Sequence, residues 1–155
     1  MRLLDLNLNT CVHLTVVRLV TPALRNLNLS GCVTLAELKT ETPTRLQDIN
    51  LFSCRALSAA SFTSLVRGCL PTIERVDCGG MTALRPESLV VLLDEKTANL
   101  QSLKLTGCHA LSEATVEAAR NFVLGRTQQA EKQAADARAR ALAEAKRAAA
   151  DTAHI

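Results

Sequence analysis

A chain of 155 residues suffices for one ordinary domain plus an appendage. Its formal charge of +3 is too small for a phosphate-binding surface, so nucleic acid is not an expected partner. Apolar residues make up 48%, yet Trp and Tyr are absent and Phe occurs only at 52, 62 and 122, so Leu, Val, Ile, Ala and Cys must fill the core.

From the first residues the chain follows one phase, L-x-x-L-x-L-x-x-C-x-x-L. It runs through Leu3-Leu6-Leu8-Cys11-Leu14 and Leu24-Leu27-Leu29-Cys32-Leu35, then Leu46-Ile49-Leu51-Cys54-Leu57. It continues through Ile73-Val76-Cys78-Met81-Leu84 and Leu100-Leu103-Leu105-Cys108-Leu111. The intervals of 21, 22, 27 and 27 residues suit leucine-rich repeats. Each unit of that kind is a short strand plus a return segment that cannot bury its apolar edge alone, so the units are expected to stack into a solenoid. The expected class is α/β: a short leucine-rich-repeat arc over residues 1–124 with a parallel inner sheet, followed by an Ala-rich charged helical tail over residues 125–155.

The returns differ along the chain. Between the first three units, β-branched residues and the Thr21-Pro22 and Thr42-Pro43 dipeptides predict extended returns. After Ser58, Phe62, Leu65 and Val66 fall at helical spacing, and Pro86 stands at a natural first helical position before Leu89, Leu92 and Leu93. Helical returns are expected there, with stronger curvature in that half, because a helix about 10 Å across takes more room than a strand.

Ser112 caps a final outer helix through Leu124, and a second helix is expected from about Thr127 to about Asp151, broken from the first at Gly125. Lys132, Asp136, Arg140 and Glu144 alternate in sign at four-residue spacing along it.

The stretch from Leu57 through Phe62, Gly68-Cys69-Leu70-Pro71 and Ile73 to Cys78-Gly79-Gly80 resembles the cysteine-containing leucine-rich repeats of F-box substrate receptors. The same subtype occurs in the mitochondrial ATP-synthase coupling factor B family and in ciliary assembly proteins. The resemblance implies a short helix and a Gly-Cys-Pro-like turn before each strand, and implies no catalytic residues.

The cysteines at 11, 32, 54 and 108 share one position and read as a column of buried reduced thiols. No tight C-x-x-C pair is present, so no metal site and no cofactor is expected. Cys108 and His109 are neighbours on an extended chain, whose side chains point apart, so nucleophilic catalysis is not expected and the protein reads as no enzyme.

Period-two alternation turns the residues between the leucines outward. They form columns of Asp5, Asn26, Asp48 and Arg75, of Asn7, Asn28, Asn50, Asp77 and Lys104, and a third that includes Phe52. This concave wall is the expected protein-binding surface, acidic and amide-rich at one end and basic at the other. Phe52, an aromatic among polar neighbours, is the best single contact. Stacked Asn side chains bonding one another on a purely solvating face are the competing expectation.

On the tail, Ala134, Ala137, Ala141, Leu142 and Ala145 form a stripe of small residues expected to dock on the solenoid flank or on a partner. Leu3, Leu6 and Leu8 arrive without polar cap residues, so the expectation is either that the chain begins earlier or that a partner covers the N-terminal coil as well. No window approaches the roughly 20 apolar residues of a membrane span, and the opening residues lack the order of a secretory signal. The function these features suggest is a non-enzymatic interaction scaffold within a multiprotein assembly. The alternative is the substrate-recognition part of an F-box-type ubiquitin ligase, although the F-box helices are not among these residues. A reducing intracellular compartment is expected: cytoplasmic first, with a mitochondrial or ciliary assembly as the alternatives.

Overall fold

The computed structural model of the chain describes residues 2–94 and 96–153. Met1, His154 and Ile155, the outermost residues of the expected arc and tail, lie outside them. The chain is α/β, with a parallel sheet and a C-terminal helix. Five three-residue strands, β1 (Asp5–Asn7), β3 (Asn26–Asn28), β5 (Asp48–Asn50), β6 (Arg75–Asp77) and β7 (Ser102–Lys104), pair in that order. Every pairing is parallel, and the registers join Leu6, Leu27, Ile49, Val76 and Leu103 into one row. The row points inward, and three of its members are fully buried.

The connections follow local chemistry. Stiff β-branched and Thr-Pro segments stay extended, giving β2 (Val16–Leu19) and β4 (Glu37–Thr40), which pair in parallel as a separate two-stranded sheet. Val17, Leu19 and Leu38 of this layer face the five-stranded sheet across a core of Leu24, Leu27, Leu29 and Leu35.

Beyond β4 the connections become helical. In α1 (Ala59–Arg67) the Ser58 hydroxyl accepts the Ser61 N–H at 3.1 Å, an N-cap that starts the helix. Phe62, Leu65 and Val66 then fall on its buried face. Ser61 also closes the edge of the extended layer, because its Oγ accepts the Leu38 N–H at 3.2 Å. Helix α2 (Pro86–Val90) begins with proline in the first turn and is shorter than its leucine spacing predicts. Residues 91–93 form turns instead, and just beyond the helix the Thr97 hydroxyl donates to the Leu92 carbonyl at 2.7 Å.

The last helix departs from expectation. Rather than breaking at Gly125, α3 runs unbroken from Glu113 to Thr152, capped by Ser112. A glycine in a helix costs only about 1 kcal/mol against alanine, which strong helix formers on both sides outweigh. Arg126, the next residue, donates to Thr97 Oγ1 at 2.9 Å and to the Asp94 carbonyl at 2.5 Å, and lies 4.3 Å over the Phe122 ring. The helix is thereby fixed to the body just past the glycine.

A tight turn follows each strand of the five-stranded sheet, and its middle residue has positive φ every time: Thr10, Gly31, Ser53, Gly80 and Gly107, at 59° to 76°. Three of the five are glycine, for which this conformation is free of strain; Thr10 and Ser53 occupy it at a cost of about 1–2 kcal/mol each. Replacing Ser53→Gly relieves that strain, offset partly by the greater freedom of glycine in the unfolded chain. The expected net gain is about 0.5–1 kcal/mol in urea unfolding; a loss of stability would show that Ser53 is not strained.

Candidate protein interface

The outward residues of the five strands lie side by side as the pairing register dictates. The first column is Asp5, Asn26, Asp48, Arg75 and Ser102, and the second is Asn7, Asn28, Asn50, Asp77 and Lys104. All are exposed or half-exposed, and together they line one hollow of about 430 Å³ across the sheet face. The ten expected interface residues are therefore on one surface, Phe52 at its rim.

The first column is cross-linked. Asn26 donates its side-chain amide to Asp5, and Arg75 Nη2 donates to Asp48 Oδ2 at 2.9 Å while Nε lies 2.5 Å from the other carboxylate oxygen. Arg75 also lies 3.7 Å from Glu74. The Asp48 hydrogen bond and charge push the guanidinium pKa up.

The asparagines of the second column are not stacked amide on amide. The side-chain oxygens of Asn7, Asn28, Asn50 and Asp77 each accept a backbone N–H two residues on, from Asn9, Ser30, Phe52 and Gly79, at 2.9–3.0 Å. These are Asx turns, and they end the strands. The oxygens are thus spent locally and the asparagines do not bond one another. Their Nδ2 donors are left toward the hollow, with no acceptor among the described residues. Lys104 closes the column with no carboxylate within 4 Å among the described residues.

Phe52 is 49% exposed. Its ring lies flat over Gly79 of the neighbouring turn, where an added Cβ would stand 2.7 Å from the ring edge. A larger residue at 79 would have to displace that ring and would crowd the Thr106 carbonyl at 3.1 Å, a role for glycine that its φ does not reveal.

Behind the face lie the thiols, all six of them free. Cys32, Cys54 and Cys108 are buried, and each donates its S–H to a carbonyl of the preceding strand segment, Leu8, Leu29 and Cys78, at 3.0–3.1 Å. Cys11, at the sheet edge, is half-exposed. Burial pushes the Cys54 and Cys69 thiols up to about 12 and raises that of Cys78 as well. Cys108 points inward while His109 is exposed, so the two do not form a reactive pair.

The tail stripe is placed where it touches little of this chain. Residues 128–152 of α3 are exposed throughout, Leu142 at 58%, and of the five expected docking residues Ala134 borders a groove, a shallow one beside residues 98–101. Docking on the chain's own flank is thus not what the fold does: the body ends near Arg126, and alanine buries too little area to bend a stiff helix back onto it. The alternating charges do not pair either, since no ion contact within 4 Å joins them among the described residues.

Sequence reasoning also missed the Arg126 clasp, which has no local signature. The left-handed turn position did have one, Gly31, Gly80 and Gly107 in the same phase. Among the described residues no helix is long and apolar enough to cross a membrane. Comparison with protein-family models, with curated proteins and with solved structures gave no match.

Proposed function

We propose that the chain is a cysteine-type leucine-rich-repeat solenoid acting as a non-enzymatic interaction scaffold, an accessory subunit of a larger protein assembly that grips its partner on the hollow sheet face. The observation that carries the reading is the amide row. Asn7, Asn28 and Asn50 are held by their own turns, so their Nδ2 donors are pre-oriented in a line with neighbours about 4.8 Å apart. Side chains fixed before binding lose little entropy on binding, which favours a surface built for recognition. Phe52 adds an aromatic anchor at the rim, and Lys104 a cation at the far end. Free thiols throughout fit a reducing compartment, the cytoplasm first. In this reading the exposed tail is a second contact, its alanine stripe taken by a partner chain.

The test is a double substitution, Asn50→Asp with Phe52→Ala. Asn50→Asp keeps the oxygen that caps the Phe52 N–H and replaces the outward donor with a charged acceptor beside Asp77; Phe52→Ala removes only a half-exposed ring. Captured partners, identified by cross-linking and mass spectrometry, should be held at least about 30-fold more weakly, the effect of roughly 2 kcal/mol at a hot spot. The melting temperature should stay nearly unchanged. Undiminished capture would remove the face from the function. The substrate-receptor alternative uses the same face, and co-purification with a cullin adaptor separates it from the first reading.

A further inference from the structure

The five-stranded sheet has two open edges, and their backbone groups match. At each of its four junctions two N–H groups run forward, as in Leu8 to the Asn28 carbonyl and Thr10 to that of Ser30, at 2.7–2.9 Å throughout. At the same junctions two N–H groups run back to a single carbonyl, as Arg25 and Asn26 do to Leu4, or Gln101 and Ser102 to Glu74. The β7 edge therefore offers the next members of both series, the N–H groups of Leu105 and Gly107 and the Gln101 carbonyl, none of them paired among the described residues. The β1 edge offers the complements, the carbonyls of Asn7 and Asn9 and the N–H groups of Leu4 and Asp5, the Asn9 oxygen already accepting the Thr10 hydroxyl at 2.7 Å and keeping its second lone pair.

Shape and side chains agree with the backbone. The mate of β7 must carry a left-handed residue two places beyond its third apolar position, and Thr10 already holds that conformation on β1. The S–H ladder that runs from Cys32 to Leu8 and from Cys54 to Leu29 would gain one rung, Cys11 to the Leu105 carbonyl. Lys104, without a carboxylate partner on its own chain among the described residues, would come diagonally opposite Asp5, within reach of a cross-strand charge pair. Leu3, Leu4 and Val12, each more than 40% exposed on the β1 edge, would be covered.

We propose that copies of this chain add head to tail, β1 of one onto β7 of the next, continuing the parallel sheet across the junction. Such a contact is heterologous, so it leaves a free edge at each end and propagates unless the rotation closes a ring. The partner surface of the scaffold would then be repeated along the polymer.

The full chain is examined by sedimentation velocity over a wide concentration range, beside two folded variants. Leu4→Lys with Val12→Lys charges the β1 edge, and His109→Lys with Ala110→Lys charges the β7 edge; all four sites are exposed. The expected result is a wild-type mass that rises with concentration past the dimer, two variants that are monomeric alone, and a discrete 1:1 dimer when they are mixed, since each keeps the edge the other has lost. Circular dichroism confirms that each variant is folded. A wild type that stays monomeric at every concentration overturns the proposal. So does an association that survives in either variant alone, or a folded pair that fails to dimerise.

Discussion

Raising the pH from about 8 to about 10 is expected to weaken this fold by several kcal/mol. In the unfolded chain a thiol titrates near about 8.5, whereas burial holds Cys54 and Cys69 protonated up to about 12 and pushes the Cys78 thiol well up too. Between those limits the unfolded chain has released protons that the folded chain keeps. Stability therefore falls as pH rises, by up to about 1.4 kcal/mol per pH unit for each such thiol, and is unaffected below the unfolded value. Three such thiols together can exhaust the roughly 5–15 kcal/mol of an ordinary domain before about pH 11. The chain contains no Tyr to confuse the titration. Urea midpoints measured across this range give the slope directly. In the native state a thiol reagent should modify Cys11 quickly and spare the other five until the chain unfolds, because a buried, protonated thiol is neither reachable nor nucleophilic. A flat pH profile, or six thiols reacting at equal rates in the native state, would place the cysteines outside the core.

Phe62→Ala is expected to cost about 3–5 kcal/mol, the largest effect of any single truncation in this chain. Phe62 is fully buried and holds α1 against the extended layer at β4, where the connections change from strand to helix. The three phenylalanines rank by what they touch. Phe122 is half-buried beneath Arg126, so its truncation should cost less, and Phe52→Ala should be close to neutral for stability because its ring lies on the outside of the sheet. Urea unfolding of the three variants tests the order. A Phe52 variant as damaged as the Phe62 variant would mean that the sheet face is core and not interface.

The candidate interface was partly visible in the residues themselves. Alternation alone is enough to turn Asp5, Asn26, Asp48 and Arg75 to one side, and the shared phase is enough to put Asn7 beside Asn28 and Asn50. What those asparagines do once there was not visible. An amide bonding its neighbour and an amide closing an Asx turn need the same residue at the same spacing, and only the local backbone path chooses between them. Gly79 is similar: its identity suggests a turn, whereas its necessity comes from the Phe52 ring lying 27 residues away along the chain.

The tail marks the other boundary of what spacing can say. Alanine propensity suffices to predict helix on either side of Gly125, because propensity is a local property of the backbone. The Arg126 clasp to Thr97 and Asp94, which fixes the helix to the body just past that glycine, is a contact across about 30 residues that no local pattern encodes. The amino-acid sequence by itself determined the strand phase, the extended and helical character of the connections, and which side of each strand is apolar, since all three follow from nearest-neighbour stereochemistry and period. Tertiary structure alone decided the single rigid helix, the tail's exposure, the use of the asparagine oxygens and the open, matching edges of the sheet. Each of these depends on which distant groups are left to pair once the core has closed.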